Sequence, residues 1–446
     1  MTKPRIMVDG YNLALEKGTG IATYARNLSS QLTKMGHKVD LLYGLRRGVG
    51  KDKLLAEVNF FDPSTKPLKV HEVVRALSNS WIRPVPAREV PITGKVIART
   101  AQGSIPDNDR IFNAKNLYRY SQWHFRVFGN FMTTQYEQPA AVAHWTYPLP
   151  IKLKGAANIY TIHDLVPLRL PYATLDDKRE FLKTVQTIAK KADHIVTVSE
   201  VSKRDIIDLL GVDESRVTNT YQAVSLPAAI LNRGHDEVAT EVSAIFGLEN
   251  KKYFLFFGAI EPKKNVGRII EAYLASQVRY PLVVVGQLVW KDAKELRLLG
   301  VPSTPPGRRA SRDEPPPDPT LTHISRSSQV VRLDYLPLSL LASVIRCARA
   351  VVFPSLYEGF GLPILEAMQL GTAVITGREG ANPEVAGESA YLVDPYNVGA
   401  IAQSLRDMQN DDAMVAHYEA LGTQQAQLFS PERYEMRLAE LYAKLV

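Results

Sequence analysis

Glu358 and Glu366 stand with seven residues between them in the run PSLYEGFGLPILEAMQLGTAV. The apolar run Ala350 to Phe353 ahead of them predicts a strand, and the residues from Pro363 onward predict a helix. Proline is favoured at the first helical position. Between strand and helix lies a tight loop with Gly359 and Gly361. The unpaired N–H groups of a helix start, together with the helix dipole, attract anions such as phosphate. On this reading Glu366 falls in the first turn, beside the anion. Being negative itself, it suits neutral hydroxyls such as a ribose diol. Glu358 lies on the loop, on the other side of the phosphates. The chemistry this spacing suggests is the binding of a nucleoside diphosphate with a hydroxylated group at its far end. The pattern also fits an ordinary strand-to-helix turn, with Glu358 solvated and Glu366 a partner of the dipole.

Other residues carry compatible chemistry. Lys263 and Lys264 follow the apolar run Tyr253 to Phe257, in GAIEPKKNVGRII. Lysines at the carboxyl end of a strand face the ligand crevice of an α/β domain. Two ammonium groups there would stabilise a diphosphate as leaving group; the other reading is a basic loop of no special role. IYTIHDLVPL ends a strand at His163 and Asp164. An imidazole so placed can bond a sugar hydroxyl or stabilise positive charge, although a lone histidine is more often structural. Gly18, Thr19 and Gly20 precede a helical pattern, so backbone amides there can approach phosphate. Ser199 reads as a helix cap, and Lys203 as a solvated lysine.

EGFGLPILEAM resembles the donor-site motif of the retaining glycosyltransferases of family 4, which have the GT-B fold. The resemblance implies that Glu366 binds the ribose of a nucleotide sugar and Glu358 the donor sugar. It further implies that backbone amides around Gly359, Phe360, Gly361 and Leu362 hold phosphate and sugar. EPKKN is similar to a signature of one branch, rich in bacterial mannosyltransferases, and implies that Lys264 and Lys263 hold the diphosphate. Ala259 stands where many members have arginine. T-x-H-D resembles the family run that sets His163 against the donor sugar, and Gly18 to Gly20 resembles the glycine-rich first loop beside donor phosphates and acceptor. Glu384, in GANPEVAG, matches a family glutamate, but the preceding TGREGAN departs from the usual serine-rich loop and leaves the donor open. The catalytic set implied is Glu358, Lys264 and His163. Lys263, Gly359, Phe360, Gly361, Leu362, Glu366, Gly18 and Gly20 bind the donor. The expected reaction is retaining sugar transfer, with GDP-mannose as first donor and UDP-glucose or dTDP-rhamnose as rivals, to a polysaccharide or lipid-linked oligosaccharide. A nucleotide-sugar epimerase on the same fold and an inactive binding homologue are the alternatives. No metal cluster is visible in the sequence, so neither a metal nor a cofactor beyond the donor substrate is expected.

Positioning such a site takes two domains. With 446 residues, 45% hydrophobic and 22% charged, the chain is globular and too long for one ordinary core. Strand and helix patterns alternate twice, which predicts two parallel α/β sheets. The expected fold is therefore α/β of GT-B type, two facing Rossmann-like domains with a cleft between them. The expected boundaries are 1–225 for the N-terminal acceptor domain, 226–250 for a linker with a short helix, 251–430 for the donor domain and 431–446 for a C-terminal helix crossing back. Residues 301–320 carry seven prolines and predict a mobile surface loop. The single cysteine, Cys347, fits a reducing compartment and a buried thiol.

The net charge of +8 is concentrated. Residues 65–130 hold eleven Lys and Arg against four Asp and Glu. Within them NLYRYSQWHFRVFGNF interleaves aromatic and basic residues, which predicts either peripheral contact of residues 66–131 with an anionic membrane or an amphipathic core helix. No nucleic-acid-binding motif accompanies it. No apolar run reaches the 18 residues of a membrane span and no signal peptide is apparent, so the expected location is cytoplasmic, at the inner face of the membrane.

Overall fold

A computed structural model describes residues 3–14, 20–50, 52–62, 70–96, 105–224, 226–287, 324–327, 330–333 and 335–445. The proline-rich stretch 301–320 and Gly18 lie outside the described residues. The chain divides into two compact units. Unit 1 comprises residues 1–165, 177–223 and 431–446, and unit 2 comprises 166–176 and 224–430.

Unit 1 is built on β1 (Ile6–Asp9), β2 (Val39–Tyr43), β3 (Val85–Pro86), β4 (Arg88–Glu89), β5 (Arg110–Asn113), β6 (Met132–Gln135), β7 (Val142–Trp145), β8 (Ile151–Leu153), β9 (Ala157–Thr161), β10 (His194–Thr197) and β11 (Val217–Asn219). The main sheet runs β11-β10-β9-β7-β1-β2-β5-β4. Its pairings are parallel except for β4 against β5. β3, β6 and β8 form a small separate parallel sheet. β1, β2, β7 and β10 are buried at every position. Continuous burial is what a parallel sheet covered by helices on both faces requires. The C-terminal helix Pro431–Ala443 packs into this unit, with Tyr434, Leu438, Leu441 and Tyr442 buried.

Unit 2 holds β12 (Phe254–Phe257), β13 (Leu282–Val285), β14 (Ile324–Ser327), β15 (Val330–Leu333), β16 (Ala350–Phe353), β17 (Ala373–Gly377) and β18 (Tyr391–Val393). They lie in the order β14-β15-β13-β12-β16-β17-β18, parallel but for β14 against β15. Chain order reverses between β12 and β16, and such a switch leaves a ligand crevice outside the carboxyl ends of those two strands. The corresponding reversal in unit 1 falls between β1 and β7.

Two segments differ from the sequence reading, and a third takes one of the two forms it allowed. Residues 226–250 are not a linker but carry helices Ala228–Leu231 and His235–Phe246 inside unit 2. Val238, Val242 and Phe246 recur every four residues and form the buried stripe that fixes the second helix. Residues 166–176 belong with unit 2, because Val166, Leu170 and Ala173 share a core with Leu356. The aromatic run 116–131 is largely core. It folds as helix Leu117–Phe128, which buries Tyr118, Tyr120 and Phe125, and Phe131 beyond it is buried too. The exposed apolar side chains nearby are Trp81, Ile82 and Val127, 58%, 75% and 63% accessible. Trp81 packs against Phe128 with the rings tilted and 4.5 Å between centroids. Among the described residues no helix is long and apolar enough to cross a membrane.

Candidate active site

The switch crevice of unit 2 gathers most of the residues singled out in the sequence. β12 leads through Gly258 into a short 3-10 turn, Pro262–Lys264. The turn ends at Asn265, a non-glycine residue in the left-handed region with φ 63°. Its side-chain amide explains the conformation: Nδ2 donates to the carbonyls of Pro354 (3.0 Å) and Pro395 (2.7 Å). The lysine turn is thereby tied to the loops that follow β16 and β18. A third tie runs from the Leu356 amide to the Lys263 carbonyl, 2.8 Å.

Lys264 Nζ donates to Glu358 Oε1 at 2.6 Å and lies 4.7 Å from the Phe353 ring centre. Both side chains are nearly buried. Burial works to raise the Glu358 carboxyl, but the charges of Lys264 and Lys263 outweigh it and hold the group below the usual carboxylate range. Glu358 is therefore an anion that carries its own counter-ion. Lys263 stands 3.5 Å from Glu261. The Glu358 backbone is seated on the turn at Gly380, where a Cβ would come within 2.7 Å of the Glu358 nitrogen, and its carbonyl accepts from the Ala381 amide at 3.0 Å. Only glycine allows that approach, and Gly380 also has φ +63°.

Gly361, at φ +97°, caps helix Leu362–Gln369, and a Cβ on it would meet Ile364 at 3.0 Å. Phe360 is buried edge-on against Phe429. Gly359, Phe360, Gly361 and Leu362 thus form one continuous loop into the helix start. The helix begins at Leu362, one residue earlier than read, with Pro363 second. Glu366 is consequently its fifth residue and sits in the second turn, not the first. It is half-buried, and desolvation pushes its carboxyl up to about 7, against the opposing charge of Lys264. Glu384 lies in the short helix Asn382–Ala386.

In unit 1, His163 follows β9. Its Nε2 lies 2.9 Å from the Thr146 carbonyl oxygen. A carbonyl only accepts, so Nε2 carries the proton and Nδ1 of the neutral ring is an acceptor. Burial lowers the ring's pKa, opposed by that hydrogen bond and by Asp164. Tyr24 meets the ring edge-on, 4.8 Å between centroids. The Tyr24 hydroxyl shares a hydrogen bond with Thr161 Oγ1 (3.0 Å), which lies 2.9 Å from His144 Nε2; His144 Nδ1 is 2.6 Å from the Tyr442 hydroxyl. Ser202 Oγ donates to the His163 carbonyl. Ser199 caps helix Glu200–Leu210 by accepting from the Ser202 amide, and Lys203 pairs with Glu214. Gly20 opens helix Gly20–Lys34. Asn265, Gly380 and Thr146 were not legible as site residues. Asn265 alone left a trace, as the last letter of EPKKN.

Residues 18–226 match the family described as Glycosyltransferase Family 4, and residues 251–411 match Glycosyl transferases group 1. The chain is 30% identical over 302 residues to O-antigen chain mannosyltransferase B of Escherichia coli, covering 67% of this chain and 72% of that protein. The sucrose-phosphate synthase structure from Thermosynechococcus elongatus superposes with a TM-score of 0.65 at 16% identity, covering 99% of each chain. Anabaena HepE, solved in complex with UDP-glucose, superposes with a TM-score of 0.61 at 14% identity, over 99% of this chain and 100% of that one. The two family matches together run through both units, and the mannosyltransferase relative is 30% identical with 72% of its length covered, so the chain belongs to the family 4 glycosyltransferases of GT-B fold.

Proposed function

We propose that the protein transfers a mannosyl group from GDP-mannose to a hydroxyl of a polysaccharide or lipid-linked oligosaccharide, with retention of configuration at the anomeric carbon. The observation that carries this reading is the Lys264–Glu358 pair at the switch of unit 2, with Glu366 on the helix that follows. Lys264 and Lys263 offset the diphosphate, Glu366 accepts from the ribose diol, and Glu358 and the 359–362 amides hold the donor sugar. His163 accepts from a hydroxyl of the transferred sugar. The bond from the anomeric carbon to the phosphate oxygen breaks with its electron pair going to the diphosphate. The acceptor oxygen bonds to the same face, and its proton passes to the departing phosphate oxygen. The protein positions these groups and stabilises charge. The mannosyl and GDP assignments are supported by the similarity to O-antigen chain mannosyltransferase B. The acceptor is met at an anionic membrane, a reading supported by the exposed Trp81, Ile82 and Val127 cluster within the basic stretch of unit 1.

The test is nucleotide release from GDP-mannose, UDP-glucose and dTDP-rhamnose, followed by NMR of the product anomer. GDP release and an α product from GDP-mannose are expected. Release from UDP-glucose or dTDP-rhamnose alone overturns the donor, an inverted anomer overturns retention, and no release from any donor overturns the transfer reading.

A further inference from the structure

Asp9 is the last residue of β1, at the strand reversal of unit 1, and is fully buried. Among the described residues no cation pairs with it. Burying an unpaired carboxylate is costly unless its oxygens are otherwise satisfied. They are satisfied by backbone. Oδ1 accepts from the Tyr11 amide at 3.1 Å, and Oδ2 accepts from the Thr146 amide. Thr146 is the first residue beyond β7, and it is the same residue whose carbonyl receives His163 Nε2–H. One buried residue thus has its N–H held by Asp9 and its C=O holding His163.

We propose that Asp9 is a positioning residue for His163: by fixing the Thr146 backbone it keeps the ring in the Nε2–H tautomer, with Nδ1 presented as an acceptor. The inference deepens the role given to His163 in the proposed function and rests on that reading. Aspartate is required because both oxygens are used as acceptors. In an asparagine one of them becomes an NH₂, which would face an amide N–H and repel it. If the Thr146 carbonyl moves away, the ring loses the only contact described for it that discriminates between tautomers. An Nδ1–H ring would then donate to the sugar hydroxyl instead of accepting from it, which reverses the hydrogen bond and turns the hydroxyl.

The experiment is ¹⁵N NMR of the full chain labelled at histidine, with the His163 signals identified by their loss in His163→Gln. The wild type should show the Nε2–H tautomer, and Asp9→Asn should show a mixture or the Nδ1–H form. In turnover with GDP-mannose, Asp9→Asn should lower kcat roughly 10- to 100-fold, the scale of a small misplacement. The Kd for GDP should be unchanged. A wild-type His163 in the Nδ1–H form overturns the proposal without any variant, which keeps it testable should Asp9→Asn fail to fold. A folded Asp9→Asn with the wild-type tautomer and kcat within threefold overturns it as well. Failure of the functional reading is separately visible, because it abolishes nucleotide release in the wild type while leaving the tautomer measurement intact.

Discussion

Lys264 Nζ and Glu358 Oε1 lie 2.6 Å apart in a nearly buried ion pair. The lysine proposed to offset the leaving diphosphate and the glutamate proposed to hold the donor sugar are thus one electrostatic unit. Removing one member leaves the other charge uncompensated. Lys264→Ala is expected to cut turnover on the order of 100-fold or more, as when one preorganised charge donor is lost. It is also expected to destabilise unit 2, by up to about 3–5 kcal/mol. The double variant Lys264→Met with Glu358→Gln should regain most of that stability while remaining inactive. Urea denaturation of the single and double variants, beside kcat, separates the two effects. Equal stability of wild type and Lys264→Ala would show that the pair contributes nothing to the fold.

Glu366 should make nucleotide affinity depend on pH. Its carboxyl titrates near 7, against an ordinary value of 4.5, because burial penalises the charge. A ribose diol donates to the ionised form. Affinity for GDP is therefore expected to be low below about pH 7, to rise through it and to level off above. The same shift gives a sign for stability: the folded state holds this proton more tightly than the unfolded chain. The contribution is fully present below 4.5 and lost as pH rises through about 7. Glu366→Gln should flatten the pH dependence of the GDP Kd. Glu366→Ala should weaken binding roughly 10- to 100-fold, the scale of a charged hydrogen bond. Calorimetric titrations with GDP at pH 6 and 8 check both, and identical slopes for wild type and Glu366→Gln would remove Glu366 from the ribose.

His144 should set an acid limit for unit 1. Burial lowers its pKa to about 3, the neighbouring His163 and His194 adding to the effect. The folded pKa lies below the unfolded one, so the contribution is complete above about 6.5 and declines as pH falls toward 3. The neutral ring is bonded at both nitrogens, to Thr161 and Tyr442. Tyr442→Phe leaves Nδ1 without its partner and is expected to cost about 1–3 kcal/mol. Urea midpoints at pH 7 and pH 5 test both points. A Tyr442→Phe midpoint equal to wild type at pH 7 would show that the C-terminal helix is not held through this hydrogen bond.

What the sequence made legible follows from what is local. β12, β13 and β16 were readable as FLFF, LVVV and AVVF because strands buried on both faces must be continuously apolar. Gly359, Gly361 and Pro363 announced a loop entering a helix. The one-residue error in the helix start moved Glu366 into the second turn: proline is favoured at the first helical position but is tolerated at the second, where the N–H it lacks would be unpaired anyway. A short helix was legible within 226–250, but its membership of unit 2 was not, because the apolar stripe of Val238, Val242 and Phe246 is narrow and set among polar residues. β3, β4 and β8 are two or three residues long, too short for any alternation to show. Partnerships across the chain were not legible at all. Nothing near Asp9 announces Thr146, 137 positions away, and nothing in EPKKN announces that Asn265 clamps Pro354 and Pro395.

Membrane contact is expected to depend on Trp81 and Ile82 rather than on the buried aromatics of helix Leu117–Phe128. Trp81 and Ile82 end helix Val70–Ile82, and Val127 is exposed on the helix that carries Phe128, the ring against which Trp81 packs. Arg83, Arg88 and Arg119 are exposed in the same basic stretch, whereas Arg126 is already paired with Glu180. An amphipathic tryptophan beside arginines suits the headgroup level of an anionic leaflet. Basic residues there contribute about 1 kcal/mol each, an attraction that fades with salt. Liposome sedimentation with acidic lipid at low salt should pellet the wild type, and high salt or neutral lipid should release it. Trp81→Ser with Ile82→Ser should abolish pelleting while leaving nucleotide release from GDP-mannose in solution intact. Pelleting of that double variant equal to wild type would remove the Trp81–Ile82 edge from the membrane. Negligible pelleting of the wild type in every condition would mean that the acceptor is met in solution.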